Sequence, residues 1–200
     1  MSTNTTSVWR KKLKELEIVV VIPTYNNGKT LAAVIEEVCR YADDIIVVND
    51  GSTDDTANIL EQYPAIRTIT HPVNKGKGTA LKHGLSQAKK EGFRYAITID
   101  SDGQHFASDI PCFIEAIEKE PDTLLVGARN LASDNMPGKN TFANKFSNFW
   151  FRLETGLKLE DTQSGYRLYP LRKMNVQSCW YTAKYEFELE AIVFAAWGDV

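Results

Sequence analysis

Short β-branched runs alternate with amphipathic stretches along most of this chain, and that rhythm constrains its fold more than any single motif. Ile18 to Ile22 has no polar position, so a strand there must be covered on both faces. Thr30 to Tyr41 follows, with Leu31, Val34, Ile35 and Val38 at helical spacing. The pattern then repeats. It predicts strands over Ile45–Val48, Arg67–Thr70, Tyr95–Ile99 and Leu124–Val126. It predicts helices over Thr53–Tyr63, Gly78–Glu91 and a run opened by Pro111 and ending at Lys119. Strand-helix alternation with short links implies an α/β fold, a mostly parallel, Rossmann-like sheet with helices on both faces. After Ala128 the rhythm changes. Thr141 to Glu154 reads as a helix with an aromatic stripe, Gly165 to Tyr169 as a short strand, and Tyr185 to Trp197 as a helix. No internal repeat or low-complexity linker divides the chain. The expectation is a polar N-terminal tail over 1–15 and a single domain over 16–200.

Composition narrows the function classes. The net charge of −3 supplies no basic field for nucleic acid. The three cysteines, Cys39, Cys112 and Cys179, are far apart and form no Cys-x-x-Cys, which argues against a zinc site or a disulfide framework and for a reduced, cytosolic setting. The first fourteen residues carry no apolar run of the secretory kind, and no stretch approaches the ~20 apolar residues of a membrane span.

Ligands of parallel sheets sit beyond the carboxyl ends of the strands. The segments there are Pro23-Thr24-Tyr25-Asn26, Asn49-Asp50-Gly51-Ser52 and Asp100-Ser101-Asp102. Asp100 and Asp102, one residue apart on a turn leaving a strand, can reach one hard divalent cation, Mg²⁺ or Mn²⁺, which takes oxygen ligands and leaves positions for substrate phosphate. Asp50, before a glycine turn and a helix start, suits a hydrogen bond to a base or ribose; the same residues also make an ordinary turn and cap. Asn74-Lys75-Gly76-Lys77-Gly78 opens a helix whose N-terminus favours anions. Asp161-Thr162-Gln163-Ser164-Gly165-Tyr166-Arg167 gathers a carboxylate, an amide, a hydroxyl and a guanidinium. Gly28-Lys29-Thr30 is no P-loop, because the required earlier glycine is Pro23, and no Gly-x-Gly-x-x-Gly follows the first strand.

Taken in order, Val21-Ile22-Pro23-Thr24-Tyr25-Asn26, Asn49 to Asp54, Asn74 to Gly78 and Asp100 to His105 resemble the inverting family-two glycosyltransferases with the GT-A fold. Gly127-Ala128-Arg129 and Asp161 to Arg167 resemble the branch of dolichyl-phosphate mannose synthase and bacterial polyprenyl-phosphate glycosyltransferases. The resemblance implies a nucleotide-diphosphate sugar as donor and a divalent cation, Mg²⁺ or Mn²⁺. It implies a lipid-phosphate acceptor and work at the inner, cytoplasmic face of a membrane. It places Pro23, Tyr25, Asn26, Asp50, Lys77, Asp100 and Ser101 on the donor, and Asp100, Asp102 and Gln104 around the metal. It places Arg129 and Arg167 at phosphate, and Gln163, Ser164 and Gly165 on the acceptor side. Glu190 matches an acidic position of the late helix, and His105 reads as structural. A glycan or lipid hydroxyl as acceptor would instead need a base, and Asp161 is the candidate; a non-catalytic nucleotide-sugar-binding module is the remaining alternative. The chain departs from the family at Asn27, where glutamate is usual, and at Asn49, where aspartate is usual. It also stops at Val200, short of the family's later segments.

Overall fold

A computed structural model of the protein describes residues 3–127, 164–174 and 186–198. The helix expected over Thr141–Glu154 and the site candidates Arg129, Asp161 and Gln163 lie outside them.

The described elements form a six-stranded sheet, ordered across it as β3 (Arg67–Thr70), β2 (Ile45–Asn49), β1 (Ile18–Thr24), β4 (Tyr95–Thr98), β6 (Arg167–Pro170) and β5 (Leu125–Val126). Strand β1 (Ile18–Thr24) is buried at every position and pairs in parallel with β2 (Ile45–Asn49) and β4 (Tyr95–Thr98). Strand β3 (Arg67–Thr70) pairs in parallel with β2 and forms an edge. Its residues are mostly exposed, and polar side chains there discourage pairing with another chain. The two remaining strands bring the antiparallel part: β6 (Arg167–Pro170) runs against β4, and β5 (Leu125–Val126) runs against β6.

Because side chains alternate across a strand, β1 feeds two cores. Ile18, Val20 and Ile22 point toward helices α2 (Leu31–Val38) and α5 (Ile110–Lys119). There they join Leu31, Val34, Ile35 and Val38 with Ile110, Phe113, Ile114 and Ile117. Val19 and Val21 point the other way, toward α4 (Lys77–Lys90) and α6 (Glu186–Trp197), and pack with Ala80, Leu81, Leu85, Phe187 and Ala191.

Two elements differ from the sequence expectation. Residues 1–15 were expected as a polar tail, but Thr3–Glu15 is helix α1. Trp9, Leu13 and Leu16 make a short stripe on the first core, with Leu13 2% exposed. Lys12 reaches Glu118 at 2.7 Å and Arg10 reaches Asp43 at 3.0 Å, tying the polar face to neighbouring elements. Helix α3 (Thr56–Glu61) begins later than Thr53. The reason is that Asp54 serves the loop instead. One of its oxygens accepts the Thr56 N–H (3.1 Å) and hydroxyl (2.6 Å), while the other accepts the Gly28 N–H (2.8 Å).

Helix α4 lies close enough to the sheet that a side chain at Gly84 has no room. A Cβ there would sit 2.5 Å from Val21 Cγ1 and 3.1 Å from Val48 Cγ2. Overpacking of about 1–3 kcal/mol outweighs the roughly 1 kcal/mol that alanine gains in helix propensity. Gly84→Ala is therefore expected to lower stability by up to about 2 kcal/mol, read as a lower urea midpoint.

Candidate active site

The carboxyl ends of β1, β2 and β4 open onto one cleft of about 500 Å³. It is lined by Pro23, Thr24, Tyr25, Asn27, Asp50, Asn74, Gly76, Lys77, Ala80, Asp100, Ser101 and Asp102. Among the described residues expected in the site, Pro23, Tyr25, Asp50, Lys77, Asp100, Ser101 and Asp102 share this lining. Asn26, Gln104, Ser164, Gly165 and Arg167 do not. The Asn26 side chain accepts the Thr53 N–H at 2.8 Å and so braces two strand-end loops. Gln104 is exposed, and its N–H is donated to Asp102 Oδ1 at 2.9 Å.

Arg167 was expected at phosphate, but the structure buries it completely. It donates to the backbone carbonyls of Ser164 (2.7 Å) and Glu188. This guanidinium, with no exposed surface, is directed to the backbone just before β6 and in the first turn of α6, and it is not part of the cleft lining. Ser164 is likewise buried, and its hydroxyl accepts the Tyr166 N–H at 3.3 Å.

On one side of the cleft Asp50 acts as a clamp. It is 2% exposed and accepts the backbone N–H groups of Lys75 (2.9 Å) and Gly76 (2.8 Å). His71 Nδ1 lies 2.6 Å from Asp50 Oδ1, and His71 Nε2 lies 2.7 Å from His83 Nδ1. With Nδ1–H donated to the carboxylate, His71 Nε2 faces His83 Nδ1, and one of these two ring nitrogens donates to the other. The carboxylate thus fixes the loop between β3 and α4 against the end of β2. The two amides that depart from the family's usual carboxylates are used internally. Asn27 donates to Ser101 Oγ at 2.7 Å, and Asn49 accepts the Ser52 N–H at 3.0 Å.

On the other side is a charge cluster that the sequence did not announce. Lys77 Nζ sits 2.7 Å from Asp100 Oδ1 and 2.9 Å from Oδ2, and 3.1 Å from Glu188 Oε1. Glu188 comes from α6 and is 5% exposed; on the same helix the resemblance had singled out Glu190 and not this residue. Burial disfavours the Lys77 ammonium, but Asp100 and Glu188 outweigh it and raise its pKa. Burial also penalises ionised Asp100. His105, 3.6 Å away, and Lys77 reverse that effect and hold its carboxyl well below the usual carboxylate range. His105 itself is buried against Tyr166, with ring centroids 5.2 Å apart.

Gly165 makes this cluster sterically possible. A Cβ on it would lie 2.5 Å from Asp100 Oδ2 and 2.8 Å from Lys77 Nζ. Thr24, which the sequence placed in a strand-end segment without assigning it a role, is a second contributor. It is 3% exposed, lines the cleft, and its hydroxyl has no hydrogen-bond partner among the described residues. Glu188 carries no spacing signal, since it acquires its place only through packing, whereas Thr24 is marked by its position at the end of β1.

Gly165→Ala is expected to push Asp100 and Lys77 apart and cost about 1–3 kcal/mol of stability, measured by urea denaturation. The histidine pair gives a pH signature. Burial of its inner edge, then His71 and Lys75, hold His83 below its ordinary value of 6.5. The unfolded chain therefore binds this proton more readily, and stability falls as pH drops through about 6.5. Thermal melts between pH 7.5 and 5.5 should show a smaller loss in His83→Gln than in the unsubstituted chain.

Comparison with known proteins follows the same lines. The family model described as Glycosyl transferase family 2 matches residues 19–178. A UDP-N-acetylglucosamine–dolichyl-phosphate N-acetylglucosaminyltransferase of Methanococcus voltae is 32% identical over 199 residues, covering 89% of this chain and 79% of that protein. A dolichyl-phosphate beta-glucosyltransferase, ALG5D, of Trichomonas vaginalis is 28% identical over 172 residues, covering 74% of this chain, which spans about half (52%) of that protein's length. A polyprenol monophosphomannose synthase of Mycolicibacterium smegmatis is 28% identical, covering 75% of this chain and 60% of that one. Among solved structures, glucosyl-3-phosphoglycerate synthase from Mycobacterium tuberculosis, in complex with Mn²⁺, UDP-glucose and phosphoglyceric acid, superposes with a TM-score of 0.73 at 22% identity. It covers 95% of this chain and 68% of that one, which supports the GT-A fold. With the strand-end cleft, its ordered motifs and a family match over most of its length, this chain belongs to glycosyl transferase family 2.

Proposed function

We propose that the chain transfers a sugar, with inversion, from a nucleoside diphosphate sugar to a polyprenyl phosphate. The observation that carries this reading is the shared lining of one cleft by the Asp50 side and by Asp100 and Asp102, with relatives named for dolichyl or polyprenyl phosphate acceptors. Pro23, Thr24 and Tyr25 line the cleft beside Asp50 and form the nucleoside end. The buried Thr24 hydroxyl offers a hydrogen bond that a nucleoside would complete.

The donor set fits a hard divalent cation. Among the described residues no group of three or more His, Cys, Asp or Glu side chains could hold a metal ion by itself. Two carboxylates in an open cleft, with positions left for substrate phosphate, suit Mg²⁺ or Mn²⁺. Exposed Asp102, with Asp100 beside it, would hold the ion. When bound, the ion would neutralise charge growing on the departing diphosphate.

The residues of the chain then orient the reaction. An acceptor phosphate oxygen attacks the anomeric carbon, the bond from that carbon to the diphosphate oxygen breaks on the opposite face, and the configuration inverts. The attacking oxygen is already ionised, so positioning and charge stabilisation replace a strong base. With Arg167 turned to the backbone, Arg129 is the remaining candidate for the acceptor phosphate, whose geometry suits a guanidinium fork. Among the described residues no helix is long and apolar enough to cross a membrane. We assign the reaction to the cytoplasmic membrane face, where a lipid phosphate can be met from the water side.

The test is to incubate the purified chain with radiolabelled UDP-sugars or GDP-mannose, polyprenyl phosphate in detergent, and Mn²⁺, then extract into organic solvent. A labelled glycolipid is expected, lost with EDTA and reduced about a hundredfold or more in Asp102→Asn. Absence of glycolipid with every donor would overturn the proposal.

A further inference from the structure

The Lys77 cluster has a property beyond binding a donor. Lys77 contacts both oxygens of Asp100, so the ammonium occupies the face of the carboxylate that a divalent ion would use. Asp100 has little room to turn aside and accommodate both cations: a Cβ on Gly165 would lie 2.5 Å from its Oδ2 and 2.8 Å from Lys77 Nζ, and His105 Nε2 lies 3.6 Å from the same oxygen. Of the paired groups, the lysine is the mobile one, a compact charge on a flexible four-carbon stem. Its second partner, Glu188 Oε1, is 3.1 Å away and has no hydrogen bond of good geometry among the described residues.

Resting on the donor-site reading above, we infer that Lys77 is an internal counter-cation that competes with the divalent ion for Asp100 until the donor diphosphate is present, and that Glu188 is the post that retains the displaced ammonium. In the free cleft one ammonium balances part of the charge of Asp100 and Glu188. A divalent ion added alone must displace that ammonium or sit beside it, and two cations in one pocket repel. A diphosphate would bring negative charge for both, so the ammonium would swing from Asp100 toward phosphate, within reach of Glu188, and free the Asp100 carboxylate to hold an ion. Metal and nucleotide are then coupled through the position of one side chain, and each tightens the other by the same factor. Glu188 is a positioning residue in this scheme, since it touches Lys77 and not the reacting atoms.

The test measures Mn²⁺ binding by the loss of the free-ion electron paramagnetic resonance signal, on the full chain, with and without UDP or GDP. Lys77→Met is expected to bind Mn²⁺ without nucleotide about tenfold more tightly than the unsubstituted chain, within the usual range of such coupling, and the gain from nucleotide should shrink by a similar factor. Lys77→Met alone leaves two carboxylates facing each other. The double variant Lys77→Met with Glu188→Gln keeps neutral groups of similar size in place, and it too should bind the ion more tightly than the unsubstituted chain. Lys29→Met removes an exposed positive charge outside the cluster and should leave Mn²⁺ affinity unchanged. Should both Lys77 variants bind Mn²⁺ no tighter than the unsubstituted chain, or should nucleotide not tighten Mn²⁺ in that chain, the counter-cation role is overturned. An unsubstituted chain that binds neither Mn²⁺ nor either nucleotide would instead overturn the donor-site reading itself.

Discussion

Burial of β1 on both faces is the constraint on which the rest of the structure depends. A strand with no exposed side can display polar groups only where it ends. Its parallel partners β2 and β4 end at the same edge, so Thr24, Asp50 and Asp100 arrive together without any contact having to be specified between them in sequence. The two hydrophobic cores on either side then fix the sheet against α2 and α5 and against α4 and α6. The chemistry stands on a rigid frame, and the loops that carry it are short.

That frame explains which parts of the molecule were legible in advance. The strand over Arg67–Thr70 has the predicted bounds, and those over Ile18, Ile45 and Tyr95 lie within about two residues of them, because apolar runs and their spacing encode burial directly. The α1 helix was missed because its apolar stripe, Trp9, Leu13 and Leu16, is sparse among charged residues and counts only once a core exists to receive it. The late start of α3 was missed for a different reason. Asp54 is as good a first-turn residue as a loop brace, and only the presence of Gly28 on the neighbouring loop decides between them.

The site divides in the same way. Asp50, Asp100 and Asp102 sit at strand ends and could be placed by topology alone. Arg167 could not, because sequence records its charge but not its direction, and packing turned it toward the carbonyls of Ser164 and Glu188. Glu188 is the converse case. It lies 111 positions after Lys77 in numbering but 3.1 Å from it in space, and helix α6 presents it in place of the neighbouring Glu190. Charge clusters built across such separations follow from tertiary packing, and a linear pattern carries no trace of them.

The antiparallel strand β6 has a consequence for how such a molecule can diversify. Because β5 runs against β6, Gly127 leaves the sheet and Ser164 returns to it at neighbouring points, with the Gly127 N–H donated to the Tyr166 carbonyl at 2.8 Å. The returning point is next to Gly165, which abuts the Asp100 carboxylate. Whatever sequence is spliced between them starts and finishes at the antiparallel edge of the sheet while leaving the parallel half untouched. Selection can therefore lengthen or rewrite that insertion without disturbing the parallel strands that carry Asp50 and Asp100.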